Sequence, residues 1–220
     1  MPVTCLRSAV LVATLALGAT ATQAGNIAVN ASDRNNDALA NVIVSATPLD
    51  KPVPPRQPAT ALILQDDREF VPPVTVIRAG TKVSFTNRDP HDHHIKSTGA
   101  TEFEYKIHTK GTPEPLVFDR LGNTIVFCYL HDWMKAYIYV VDTPYFAKTE
   151  KAGIALIEGL PEGRYRVASW HPDARTQLST QDMTITANGT TEVKLNFDLV
   201  PKRLGRIKPA AGTKEPAYKY

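Results

Sequence analysis

Three side chains able to bind a metal follow one another at three-residue intervals in the segment CYLHDWM: Cys128, His131 and Met134. A thiolate and an imidazole suit a soft or borderline ion, and a thioether is a donor that zinc sites seldom recruit but blue-copper sites use as a weak axial ligand. The pattern therefore indicates a copper site. The competing interpretation of Cys128 is a buried structural thiol, which the matched spacing of His131 and Met134 disfavours.

A second imidazole is available upstream in NRDPHDHHIKS, which contains His91, His93 and His94. This segment follows a predicted strand over residues 82–86, so we expect it at the end of a neighbouring strand. Two imidazoles and a thiolate in a plane, with a weak axial methionine, are typical of blue-copper electron-transfer sites. Four protein ligands leave no open coordination position, so the pattern predicts an electron carrier and not an oxidase or a hydrolase.

The start of the chain predicts export. Arg7 is followed by the uncharged run 8–17 and by small residues ending at Ala24, as in a secretory signal peptide. The run is too short to span a bilayer and no later stretch is apolar enough, so we expect an exported protein without stable membrane insertion. Removal of residues 1–24 takes away Cys5 and leaves Cys128 as a lone thiol in an oxidising compartment. An unpaired thiol is a liability in such a compartment unless it bonds to a partner cysteine, takes part in a reaction or binds a metal ion.

The composition is that of a globular protein built from strands. The 220 residues suffice for one or two domains, and the formal net charge of +3 gives no case for nucleic acid. Runs such as TIVFCYL and AYIYVVD are rich in β-branched and aromatic residues, which predicts an all-β sandwich or barrel over residues 60–143. Farther on, GIALIEGLPEGRYRVASW predicts two strands, and DMTITANGTTEVKLNFDL predicts a hairpin around the turn at Asn188.

These patterns divide the chain into six segments. The polyproline-like stretch KPVPPRQP can form neither a helix nor a central strand, so it marks a boundary. The C-terminal segment carries six basic residues against one acidic residue and predicts a solvated tail. The predicted segments are a signal peptide (1–24), N-terminal strands (25–50), a Pro-rich connector (51–59), a metal-binding β domain (60–143), a C-terminal β unit (144–200) and a basic tail (201–220).

The metal-binding segments resemble those of a known family. FTNRDPHDHHI followed by CYLHDWM resembles the cupredoxins, and the short Cys-x-x-His-x-x-Met spacing is similar to that of amicyanins. Most of the chain after the signal peptide, including REFVPP, KGTPEP and GLPEGRYRVASWHP, resembles exported proteins labelled methylamine utilization proteins. The resemblance implies a Greek-key β-sandwich over residues 60–143, one type 1 copper ion and electron transfer in the periplasm.

The resemblance extends to the flanking segments and to partners. Residues 25–50 and 144–200 resemble the two parts of a carboxypeptidase-regulatory-like sandwich, into which the copper domain would be inserted. The resemblance implies a redox partner protein, either a cytochrome or an amine dehydrogenase, the latter suggested by the family's name alone.

Matching the family pattern residue by residue makes Cys128, His131 and Met134 the three loop ligands. Aligning the NRD start with the family's Asn-Arg-acid start makes His93 the upstream ligand, with His94 as the alternative. His94 then stands where many cupredoxins have an asparagine that ties the two ligand loops together. The resemblance also implies that His131 has an edge near the surface, where a redox partner docks.

Other interpretations remain open at this stage. His91 could join a second metal site, although a loop histidine beside proline and aspartate is more often solvated. The protein could store or deliver copper without electron flow, which predicts a labile cuprous site without intense colour. It could also be a structural or adhesive β module that binds zinc or no metal.

Overall fold

The computed structural model describes residues 24–176 and 178–200, together with Lys208. All regular secondary structure in these residues is β-strand, which confirms the prediction of an all-β fold. The predicted signal peptide before Ala24 and the predicted basic tail apart from Lys208 lie outside the described residues. Within the described part, no helix is long and apolar enough to cross a membrane.

Sixteen strands are present in the described residues. In chain order they are β1 (Ala24–Asp33), β2 (Ile43–Pro48), β3 (Thr60–Asp66), β4 (Glu69–Val71), β5 (Val74–Arg78), β6 (Thr81–Asn87), β7 (His93–Gly99), β8 (Glu104–Ile107), β9 (Leu116–Phe118), β10 (Gly122–Cys128), β11 (Lys135–Val141), β12 (Phe146–Lys148), β13 (Ile154–Pro161), β14 (Gly163–Trp170), β15 (Leu178–Ile185) and β16 (Thr190–Phe197).

The first and last strands of the chain form one β-sandwich. One sheet has the order β13-β1-β16, and the facing sheet has the order β12-β2-β14-β15. Side chains of both sheets meet in a single apolar core that includes Ile27, Val44, Leu160, Tyr165 and Ile185. Alternate residues of β1 are buried in this core, as the apolar and polar alternation of a strand with one solvated face requires.

The strands between them form a second β-sandwich, which holds the predicted metal-binding segments. A five-stranded sheet of order β5-β11-β10-β7-β8 faces a four-stranded sheet of order β4-β3-β6-β9. Their shared core contains Phe85, Phe118, Ile138, Cys128 and Met134. Two of the predicted ligands therefore lie in the wall of an apolar core.

The predicted hairpin around Asn188 is wrong. β15 pairs with β14 in one sheet, whereas β16 pairs in parallel with β1 in the other sheet. Asn188 does adopt the left-handed conformation of a tight turn, with φ of 56°. The turn reverses the chain, but the pairing follows the apolar side chains, because Ile185 and Val193 enter the shared core from opposite sheets.

An apolar contact joins the two sandwiches. Trp170 of β14 is 2% exposed and packs with Ile43 and Val74, and its ring centroid lies 4.8 Å from that of Tyr139. The Nζ of Lys148 donates a hydrogen bond of 3.0 Å to the carbonyl of Val74 across the same region. This contact fixes β5 and β11 from the outside, and β11 begins directly after Met134.

The register of the five-stranded sheet brings two loops to one end of the second sandwich. β10 runs antiparallel to β7, and Cys128 lies opposite Ile95. The end of β10 is therefore beside the start of β7. The segment 88–92 before β7 and the segment 129–134 after β10 are consequently neighbours.

Candidate metal centre

Cys128 and His93 reach the same pocket because each occupies an inward-facing strand position. Cys128 is the last residue of β10, on the buried face with Thr124 and Val126, and is 3% exposed. His93 is the first residue of β7, on the buried face with Ile95, and is 1% exposed. Two-residue periodicity in both strands therefore aims a thiol and an imidazole into the interior.

The thiol lies at equal distances from two imidazoles. The Sγ of Cys128 is 3.7 Å from Nδ1 of His93 and 3.7 Å from Nδ1 of His131. A sulfur and a nitrogen bound to one ion at about 2.3 and 2.05 Å lie about 3.6 Å apart in tetrahedral and about 3.8 Å apart in trigonal geometry. The observed spacing therefore fits a shared ion, so the donor set matches the predicted copper chemistry.

A tight loop returns the chain from Cys128 to β11. The amide of Met134 donates to the carbonyl of His131 at 2.9 Å, and the amide of Cys128 donates to the carbonyl of Met134 at 3.3 Å. These bonds hold His131 and Met134, each 1% exposed, on the same side of the loop as the thiol. Met134 belongs to the same core as Cys128, so its thioether is buried at the metal end of the sandwich.

Asp89 orients His93, which the sequence interpretation missed. The Nε2 of His93 is 2.7 Å from Oδ2 of Asp89, and the amide of Arg68 donates to the same oxygen at 2.9 Å. Burial acts to raise the pKa of Asp89, but the hydrogen bonds from Arg68 and His93 outweigh it and hold the pKa below its usual value. A carboxylate here keeps the imidazole proton on Nε2 and leaves the lone pair of Nδ1 facing Cys128.

The imidazole of His93 is kept neutral by its surroundings. Burial is the largest effect and lowers its pKa, Asp89 opposes this, and the net pKa lies below the ordinary value. A neutral imidazole is the form that binds metal ions. The signal that could have identified Asp89 is its position four residues before His93, in the loop that carries the ligand.

His94 faces the other side of β7. Its Nε2 is 2.6 Å from Oε1 of Glu104, and its ring centroid is 4.8 Å from that of Tyr129. The two ligand loops are nonetheless tied, because the amide of Tyr129 donates to the backbone carbonyl of His94 at 2.8 Å. A main-chain bond thus joins the loops while the His94 side chain bonds to β8.

The expected surface edge of His131 is wrong, because the residue is 1% exposed. Its ring lies between two others, with centroids 5.3 Å from His91 and 5.3 Å from Trp133. Trp133 is fixed in turn, since its Nε1 donates to the carbonyl of Arg68 at 3.1 Å. These neighbours separate His131 from the solvent.

His91 lies beside the two buried imidazoles of the candidate metal centre, although the sequence favoured a solvated residue. Metal-binding atoms of His91, His93 and His131 all lie within 4.8 Å of one another. The His91 side chain is 38% exposed, so it stands on the solvent side of the two buried imidazoles.

No protein-family model and no curated protein matches this chain. Parts of solved structures are similar to it. The Cu-containing nitrite reductase from Thermus scotoductus SA-01 matches at 22% identity over 44% of this chain and 25% of that chain, with a TM-score of 0.36. The purple cupredoxin from Nitrosopumilus maritimus matches at 23% identity over 37% of this chain and 99% of that chain, with a TM-score of 0.34. Amicyanin from Paracoccus versutus matches at 20% identity over 44% of this chain and 98% of that chain, with a TM-score of 0.34. This chain therefore spans a quarter of the length of the nitrite reductase and nearly all of the two shorter chains.

Proposed function

We propose that this protein carries single electrons through one type 1 copper ion held by His93, Cys128, His131 and Met134. The observation that carries the proposal is the position of the Cys128 sulfur, 3.7 Å from the Nδ1 atoms of both buried histidines. A bound copper ion would supply one-electron redox chemistry between its two oxidation states.

The chain itself supplies four metal-binding side chains that are buried from solvent and held in place by neighbouring residues. Cys128, His93, His131 and Met134 are each at most 3% exposed, and each is fixed by a backbone hydrogen bond or by Asp89. Donors that cannot move rearrange little when the charge of the bound ion changes. Four protein ligands would leave no open coordination position for a substrate, which favours a carrier over an enzyme.

The wider organisation of the protein is part of the proposal. Residues 60–143 would form the copper-binding unit and residues 25–50 and 144–200 a second unit, linked by the connector 51–59; the two separate apolar cores support this division. A periplasmic location is supported by the apolar run and small residues at the start of the sequence. The proposed partner is a redox protein, with a cytochrome and an amine dehydrogenase as candidates.

Copper loading followed by visible and electron-paramagnetic-resonance spectroscopy tests the function. We expect an intense thiolate-to-copper absorption band that disappears on reduction and returns on reoxidation. A colourless protein that binds cuprous copper and releases it readily to a chelator would instead indicate delivery. A chain that binds no copper would indicate a β module without redox function.

Asp89→Asn is expected to weaken copper binding by about 10- to 100-fold, the usual effect of losing a carboxylate that orients a metal-binding histidine. The amide is a weaker acceptor for the His93 Nε2 proton, so the imidazole loses its fixed tautomer and orientation. Competition with a chelator of known affinity measures the change. Asp92→Asn is the matched control, because Asp92 is exposed and bonds to His108 and Thr109 at the surface. Equal affinities for the two variants would contradict a role for Asp89.

A further inference from the structure

His91 adds a third imidazole to the two that face Cys128. Its ring centroid is 5.2 Å from that of His93 and 5.3 Å from that of His131, and the latter two centroids are 5.0 Å apart. The three rings therefore form a compact triangle. Neither the thiolate nor the thioether is needed to build it.

The inner nitrogen of His91 lacks a hydrogen bond. Its Nε2 is buried and, among the described residues, has no hydrogen-bond partner, although the rest of the side chain is partly exposed. The Oδ2 atom of Asp89 lies 3.8 Å from this nitrogen, beyond hydrogen-bond distance, and that oxygen already contacts His93 and Arg68. A buried nitrogen lone pair or N–H without a partner is uncommon in a folded protein and points to a ligand.

We propose that His91, His93 and His131 form an entry site that holds a divalent copper ion by imidazole nitrogens alone, before the thiolate of Cys128 binds it. The identification of copper as the ion rests on the proposed function, whereas the three-imidazole site does not, because zinc suits the same donors. Binding requires only neutral imidazoles and involves no change of oxidation state.

The spacing of the rings fits a site that closes on the ion. Three nitrogens bound to one ion at about 2.05 Å lie about 3.3 to 3.6 Å apart, and the atoms here are already within 4.8 Å of one another. The adjustment of at most about 1.5 Å falls to His91, since it is 38% exposed whereas His93 and His131 are 1% exposed. An ion arriving from the solvent therefore meets His91 first.

Metal binding in a Cys128→Ser background tests the entry site separately from the thiolate centre. We expect Cys128→Ser to bind one Cu²⁺ ion with a non-blue paramagnetic-resonance spectrum showing three nitrogen ligands. Adding His91→Ala should remove one nitrogen from the spectrum and weaken Cu²⁺ and Zn²⁺ binding by more than about 10-fold in calorimetry. Adding His108→Ala, at a histidine whose side chain is 83% exposed, is the matched control and should change neither measurement.

Equal metal binding by Cys128→Ser with and without His91→Ala would overturn the inference. A second measurement avoids the Cys128 substitution: His91→Ala in the otherwise unaltered chain should slow the uptake of Cu²⁺ at least several-fold, and an unchanged uptake rate would also overturn the inference. The two proposals fail separately. A missing thiolate band in the unaltered chain would contradict the electron-carrier proposal. Loss of a nitrogen ligand when His91→Ala is added to Cys128→Ser would still support the three-imidazole site.

Discussion

Replacing Cys128 with serine is expected to abolish the intense visible absorption of the copper-loaded protein completely and to weaken copper binding by more than about 100-fold, beyond the effect of losing an orienting residue. The band requires a thiolate bound to copper, and the sulfur of Cys128 is the atom that both buried imidazoles face at 3.7 Å. A serine hydroxyl stays protonated at neutral pH and is a poor ligand for copper. Absorption spectroscopy with chelator competition measures both effects.

The matched control is Thr124→Ser, which changes another buried residue on the same face of β10. Serine keeps the hydroxyl that accepts a hydrogen bond of 3.0 Å from the amide of Thr101, so the strand and its loop contacts are retained. We expect the control to keep the band. A band that survives Cys128→Ser would contradict the proposed centre. Denaturation of the metal-free variant checks its fold, since an added buried hydroxyl costs about 1 to 3 kcal/mol.

The fold class could be predicted because strand periodicity is local. In β6 the buried Val83 and Phe85 alternate with polar residues, and this pattern is visible in the residue types. The residue types of β10 do not show which way Cys128 points, because Ile125 and Phe127 on the opposite face are apolar as well. The metal was predicted instead from the donor types and the three-residue spacing of Cys128, His131 and Met134.

Strand pairing was less predictable because it depends on residues far apart in sequence. The Asn188 turn suggested a local hairpin, yet β16 pairs with β1, more than 150 residues earlier, with Thr190 opposite Asn26. Turn chemistry determines where the chain reverses, and burial of both strands in one core determines the partner. Only the position of the turn can be inferred from neighbouring residues.

The surroundings of the candidate site were predicted least well. Asp89 matters through its distance to His93, and the carboxylate could equally have been an exposed loop residue. The burial of His131 depends on His91 and Trp133, which reach it from two different loops. Such contacts exist only once both loops are placed at the same end of the sandwich.

Removing the upstream imidazole distinguishes His93 from His94. We expect His93→Ala to bleach the copper-loaded protein and weaken binding by more than about 100-fold, as for loss of a direct ligand. His94→Ala should retain the band, because its Nε2 bonds to Glu104, whose side chain is 47% exposed. Loss of that partly exposed pair should lower the free energy of unfolding only slightly. The visible spectrum and the denaturation midpoint of each variant are the measurements.

The opposite result would require β7 to pair differently. If His94 were the ligand, the strand would have to shift by one residue, because successive side chains of a strand point to opposite faces. Ile95 and Ser97, which are 0% and 1% exposed, would then leave the core, and Lys96 would enter it. The pairing of Cys128 with Ile95 and of Val126 with Ser97 opposes that shift. Bleaching by His94→Ala with colour retained in His93→Ala would therefore contradict the register of the whole strand as well as the assignment of one ligand.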